Sequence, residues 1–215
     1  MTEQQKEFIE KNIGLIKRGQ WEDFFKDAPG GIGEVLYVAG IDFMGQMEQV
    51  PNFCFDNSSL TNIDIPDNIT IIGDYAFSYC SELTSVTIPD RVESIGGDAF
   101  RSCTGLTSVT IGKGVNIISD YAFCFCDKLT SIDIPDNVTR IGEGAFRNCI
   151  GLKNIAIPSS VTIIDKDAFM HLGPDDVIIN FNGTKEQWKN IYNSKAFTRT
   201  HFKVNCLDGK LYKKS

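Results

Sequence analysis

Seven cysteines and two histidines are the side chains of this 215-residue chain best suited to chemistry. A thiolate beside an imidazole can serve as nucleophile and base, and a cluster of thiolates can hold zinc. His201 and Cys206 form the one such pair close in sequence. Their separation is odd, so on a single strand they would point to opposite faces. Cys80, Cys103, Cys126 and Cys149 recur every 23 residues. That spacing sets them in a row on successive turns of a repeat, roughly 5 Å apart, which neither surrounds a tetrahedral zinc nor suits a disulfide. No Cys-x-x-Cys pair occurs; Cys124 and Cys126 have one residue between them. Two histidines, His171 and His201, exclude a histidine-rich metal centre. There is no phosphate loop and no Gly-x-Ser-x-Gly, and Gly31-Ile32-Gly33 reads as a helix-breaking turn. Asp67, Asp90 and Asp136 recur in turns, which favours a structural role over an acid–base pair. The expectation is a non-enzymatic protein with no catalytic residue, no metal and no cofactor.

The elements that position these residues follow from the repeat. Leu60, Leu83, Leu106, Leu129 and Leu152 keep the 23-residue spacing. So do Ala76, Ala99, Ala122, Ala145 and Ala168, and Phe77, Phe100, Phe123, Phe146 and Phe169, while Leu172 takes the cysteine's place in the last copy. In the copy Leu83–Gly105, Leu83, Val86 and Ile88 alternate with polar residues, as in a short strand with one buried face. Pro89 ends it, as Pro66, Pro135 and Pro158 do in other copies, with Gly112 substituting once. Val92 and Ile95 form a second apolar pair before a glycine, and Asp98-Ala99-Phe100 is expected to open a short helical turn ending near Cys103. No copy can bury its apolar face alone, so the copies must stack.

Leu83-x-x-Val86-x-Ile88 fits the first half of a leucine-rich repeat. The continuation, Ile-Pro followed by Ile-Gly-x-x-Ala-Phe-x-x-Cys-x-x-Leu, resembles the BspA-like leucine-rich repeat family, over Leu60 to about Phe181. The resemblance implies an α/β fold: a right-handed leucine-rich-repeat solenoid with a parallel sheet on one face. It also implies protein–protein or surface recognition rather than catalysis, in a family with many secreted or surface-attached members.

A solenoid needs caps. Residues 1–49 are expected to form a helical N-terminal cap. Phe8, Ile9, Ile13 and Ile16 make one helical stripe, Trp21, Phe24 and Phe25 a second, and Ile32, Leu36 and Val38 a third. Residues 50–176 hold a half-copy, in which Val50–Phe55 aligns with Ile72–Phe77, and then five copies. Residues 177–215 are expected to cap the other end. They comprise a strand over Val177–Phe181, a helix capped by Thr184 with Trp188 and Ile191 inward, and a hairpin turning at Asp208-Gly209. A Gly-Thr-x-x-Gln-Trp segment like Gly183–Trp188 is also familiar from the ends of BspA-like arrays.

Recognition is expected on the exposed strand positions Asn62, Asp64, Ser85, Thr87, Ser108, Thr110, Ser131, Asp133 and Asn154. These are small and polar, with none of the Trp, Tyr or Arg that anchor most interfaces. A second outward column, Ile71, Ser94, Ile117, Arg140 and Ile163, precedes a buried isoleucine column and offers a contact patch or a dimer seam. A protein partner and a possible homo-oligomer are therefore expected. The net charge of −7 argues against nucleic acid, and membrane insertion is not expected. Charge is uneven: residues 1–59 carry −5, residues 60–176 −8 and residues 177–215 +6. The N-terminal segment shows no signal-peptide core, so the expected location is the cytoplasm, or outside the cell if a leader has been removed.

Overall fold

The computed structural model describes residues 1–173, 177–192, 195–197 and 201–213. Helix α1 (Glu3–Lys17) starts at a capping box in which Thr2 and Gln5 satisfy each other's backbone amides. Its Phe8, Ile9, Leu15 and Ile16 pack on the core, whereas Ile13 is exposed and lies outside the expected stripe. Phe8 meets Phe24 of α2 (Trp21–Phe25) edge-on at 5.1 Å. Helix α3 (Ile32–Val38) buries Ile32, Gly33 and Leu36, while Val38 is left exposed. Gly31-Ile32-Gly33, expected to be a helix-breaking turn, is a turn only at Gly31, and Ile32 and Gly33 open α3. Gly31 has φ +71°, and Gly33 lies so close to Cys54 that no Cβ would fit, its N–H donating to the Cys54 carbonyl. This contact seats α3 on the first coil.

Among the described residues, thirteen strands then run to the C-terminal hairpin. β1 (Gln49–Val50), β2 (Ile71–Ile72), β4 (Ser94–Ile95), β6 (Ile117–Ile118), β8 (Arg140–Ile141) and β10 (Ile163–Ile164) form one six-stranded parallel strip. β3 (Ser85–Thr87) and β5 (Ser108–Thr110) pair with each other. β7 (Ser131–Asp133), β9 (Asn154–Pro158), β11 (Val177–Asn182), β12 (Phe202–Cys206) and β13 (Gly209–Lys213) continue on the same side in a further sheet, with β13 antiparallel at its edge. Each coil within residues 83–173 therefore contributes to two sides of parallel strands, whereas the first two coils contribute β1 and β2 alone. Of the apolar pair Val92 and Ile95, expected to precede a turn, Ile95 lies on β4, a strand of the first strip.

The third side differs from the expected helical turn. Asp98 and Ser102 have φ of +53° and +57°, and the same left-handed pair recurs four residues apart in every coil, from Phe53 and Asn57 to Asp167 and His171. Alternate N–H groups serve two directions. Phe100 and Ser102 donate to Ala122 and Cys124 of the next coil, while Arg101 and Cys103 donate back to Asp98 and Phe100. The left-handed residues make this alternation possible, and it satisfies the backbone of a side that has neither helix nor strand.

The core is a column of phenylalanines. Phe55, Phe77, Phe100, Phe123, Phe146 and Phe169 stack with ring centroids 5.0–5.5 Å apart and planes within 6° of parallel. A seventh ring, Phe197, continues the column at 5.1 Å. Ala196-Phe197 is thus a further copy of the Ala-Phe step, hidden from the 23-residue comparison by a longer interval. Asp167 and Phe169 donate to Lys195 and Ala196, as each coil donates to the next. Helix α4 (Lys185–Ile191) closes this end. Thr184 and Gln187 form its capping box, and Trp188 is buried against Phe181 and Phe197 at 5.3 and 6.0 Å.

Candidate recognition surface

The thiols are consumed by the core. The Cys80, Cys103, Cys126 and Cys149 Sγ–H groups donate to the carbonyls of Phe55, Phe77, Phe100 and Phe123 on the preceding coil, at 3.0, 3.1, 3.3 and 3.0 Å. The repeat therefore holds cysteine rather than alanine as a donor between coils, a role the spacing alone does not reveal. Burial pushes the Cys54 and Cys126 thiols well up, and Cys124 to about 12. Cys206, at the end of β12, is half-buried, and burial followed by Asp208 raises its pKa too. His201 lies just before β12 rather than on it. In the native protein, an alkylating reagent read by mass spectrometry is expected to reach Cys206 first and slowly. The other six thiols should react only on unfolding. Native labelling of Cys126 would contradict this packing.

The expected strand positions fall where the alternation placed them. Asn62, Asp64, Ser85, Thr87, Ser108, Thr110, Ser131, Asp133 and Asn154 are all exposed, above buried Ile63, Val86, Ile132 and Ile155 and the partly buried Val109. β5 and β7 are not paired with each other, so this polar strip is in two segments. The second column is also outward. Ile71, Ile117 and Ile163 are 42%, 38% and 49% exposed. They occupy alternate rungs, with Ser94 paired beside Ile71, and Arg140 between Ile117 and Ile163. Arg140 is tied to Asp165 at 2.7 Å and reaches Asp120 at 3.9 Å, so it interrupts the apolar strip with an ion pair.

A third outward surface, not anticipated from the sequence, lies on the left-handed side. Phe53, Tyr75, Tyr79, Tyr121 and Phe125 occupy positive-φ positions, and all but the half-buried Tyr121 are at least 36% exposed. The remaining equivalent positions hold Asn57, Asp98, Ser102, Gly144, Asn148, Asp167 and His171. Gly, Asn and Asp are the residues that tolerate this conformation, whereas a bulky side chain costs about 1–2 kcal/mol there. The five aromatics are therefore strained relative to their own repeat. Phe53 and Tyr75 stack at 4.8 Å with rings 2° from parallel. The Asp98 carboxylate beside Tyr75 raises its pKa, and Asp98 also accepts from Arg101 at 2.9 Å. The Arg101 guanidinium lies 5.7 Å from the centre of the Phe125 ring. The Tyr121 hydroxyl donates to Glu143 at 2.7 Å, a bond that pushes its pKa up to about 12. Beyond Phe53 the surface runs into a cleft of about 840 Å³ between α2 and the first coil, lined by Phe25, Met47, Pro51 and Asp56 among others.

The architecture defines a class: a capped parallel solenoid of leucine-rich coils that displays regular outer faces. Within it, the chain belongs to the BspA type leucine-rich repeat family, whose model matches six copies over residues 48–173. Proteins of this family are typically surface or binding proteins, and leucine-rich-repeat solenoids are generally non-enzymatic. The first coil, read above as a half-copy, brings the five full copies to six. Among solved structures, a leucine-rich cell surface protein from Faecalibacterium prausnitzii is 36% identical with a TM-score of 0.58, over 62% of this chain and 35% of that one. A leucine-rich repeat protein from T. pallidum is 25% identical with a TM-score of 0.56, over 68% and 72%. One from Bacteroides ovatus is 26% identical with a TM-score of 0.52, over 71% and 46%. The chain thus spans about a third of the F. prausnitzii protein and under half of the B. ovatus one. No curated protein matches the sequence. Among the described residues, no helix is long and apolar enough to cross a membrane, and no group of three or more His, Cys, Asp or Glu could hold a metal.

Proposed function

We propose that the chain is a non-enzymatic protein-recognition module whose coils act as a rigid scaffold for an exposed contact surface. One observation carries this reading: the fold buries the phenylalanines of its repeat column and all but one of its cysteines, while it leaves Tyr75, Tyr79 and Phe125 outside at backbone positions that disfavour them. Side chains kept exposed at a conformational cost point to use rather than to stability. The similarity to a cell surface protein supports action at a bacterial surface. Buried thiols fit either side of a membrane, since a thiol bonded to backbone inside a core is shielded from oxidants as well as from reductants.

A test by faces separates the surfaces. Ser85→Arg with Ser108→Arg alters the polar strand strip, Ile117→Asp the second strip and Tyr79→Asn the left-handed side. Captured partners of the full chain should include a discrete protein that is lost with one of these variants while circular dichroism stays unchanged. A partner retained by all three variants, or none at all, would count against the reading. A second reading, a homo-oligomer or assembly part, is favoured by the charge split between residues 177–215 at +6 and the rest, and by the outward isoleucines.

A further inference from the structure

The left-handed side has a spacing that selects a kind of ligand. Successive coils advance 5.0 and 5.3 Å between Phe77, Phe100 and Phe123, so Tyr79 and Phe125, two coils apart at the same coil position, are offset by about 10 Å along the solenoid. The coil between them places small Ser102 at that position, and Arg101 beside it leans toward Phe125. The surface is therefore two aromatic side chains with a cationic donor set between them. Tyr75 and Tyr121 repeat the two-coil offset on the parallel column. A polyproline II segment has three residues per turn and advances about 9 Å per turn, so side chains at i and i+3 fall nearly in step with such aromatic pairs. Its carbonyls make no internal hydrogen bonds and are open to donors, and proline-rich segments dock on aromatic-lined surfaces. Charge narrows the choice further. Exposed Asp74 and Asp120 border the aromatic columns on one side, and half-buried Asp127 follows Phe125 on the other. These carboxylates suit basic flanks on the bound segment.

We propose that Tyr79, Arg101 and Phe125, with Tyr75 and Tyr121 beside them, form a docking surface for a proline-containing polyproline II segment with lysine or arginine at its flanks, running along the solenoid axis. This rests on the protein-recognition reading and names its partner chemistry. Arg101 donates to a carbonyl of the segment in the gap between the two rings, and Asp98, already its partner, fixes the guanidinium there.

The experiment uses the full chain and a fluorescent peptide with prolines at i and i+3 and lysines at both ends, followed by anisotropy. A glycine–serine peptide with the same lysines is the control. The proline peptide should bind more tightly than the control, and Tyr79→Asn or Phe125→Asn should weaken it about tenfold or more, as expected for aromatic anchors. Both substitutions introduce a residue that the fold already holds at this position, at Asn57 and Asn148, so thermal stability should be kept or raised. Ser108→Arg on the strand strip should leave peptide affinity unchanged. Equal binding of the two peptides, or full affinity in both asparagine variants, would overturn the proposal. So would a β-linked glucan oligosaccharide that competes the peptide off and binds more tightly, which would assign the rings to sugar stacking. If a native partner is lost with Ser85→Arg and Ser108→Arg but kept by Tyr79→Asn, protein recognition stands and this surface falls. If neither of these nor Ile117→Asp changes capture, the recognition reading falls as well.

Discussion

Phe123→Ala is expected to destabilise the protein by about 3–5 kcal/mol, a large share of the roughly 5–15 kcal/mol that holds a typical domain together. Phe123 is fully buried and lies between Phe100 at 5.3 Å and Phe146 at 5.5 Å, so its removal opens a cavity in the middle of the ring column. Its carbonyl accepts the Cys149 thiol, which ties the same coil to the next one. Neighbouring rings cannot close the gap, because the hydrogen bonds between coils along the β6 strip and the left-handed side hold each coil at its spacing. In a stacked array each coil is stabilised mainly by its neighbours, so a central defect weakens both halves at once. The two tryptophans make this measurable. Trp21 sits in α2 at one end and Trp188 in α4 at the other, and both are buried. Urea unfolding followed through single-tryptophan forms should give one shared midpoint in the parent chain. With Phe123→Ala the midpoint should fall and the two ends should separate. A shift below about 1 kcal/mol with coincident ends would mean that the ring column is not what couples the coils.

That column is also where the sequence was most legible. Phe77 to Phe169 recur at one interval, and the physical demand behind them, one large apolar side chain per coil at the same depth, leaves a mark that spacing alone detects. The strand positions Ser85, Thr87 and Asn154 were legible for the same reason, since alternation fixes their direction. The strands at Ile71–Ile72 and Ile163–Ile164 were not, because two residues before a turn carry too short a pattern to mark a sheet, and their pairing is made only by stacking. Phe197 was hidden by an irregular interval that spans α4 and the strand before it. The aromatic surface was the least legible. Its columns hold Phe, Tyr, Asp, Tyr, Gly and Asp, then Asn, Tyr, Ser, Phe, Asn and His, and no residue type fills more than two of the six places in either column. What recurs is a backbone conformation, and a single sequence records φ only where glycine or asparagine advertises it. The useful signal was available in reverse: tyrosines and phenylalanines that break the Asn/Gly/Asp pattern of an otherwise periodic position.

Ile118→Asp and the adjacent Ile117→Asp are expected to have opposite outcomes. Ile118 is fully buried on β6, paired in register with Ile95 and Ile141, so a carboxylate there would sit among isoleucines with no cation in the column. An uncompensated buried charge destabilises by several kcal/mol, and the variant is expected to be largely unfolded at neutral pH. Its pH dependence has a definite sign. Burial raises the pKa of such an aspartate in the folded state above the unfolded value near 4. The folded form then holds a proton that the unfolded form has lost, so stability falls as pH rises above about 4, and the variant is least compromised in acid. Circular dichroism across pH 4 to 8, set against the parent chain to remove the common acid effect, reads this directly. Ile117 is 38% exposed on the other face of the same strand, in register with Arg140. Aspartate there keeps its hydration and faces a guanidinium, so folding should change by no more than about 0.5 kcal/mol. Sedimentation supplies the second readout. If the outward isoleucines form a seam between copies, Ile117→Asp should shift the protein toward monomer at unchanged stability. Identical sedimentation of parent and variant would remove the isoleucine strip from the assembly reading and leave it only the charge of residues 177–215 to stand on.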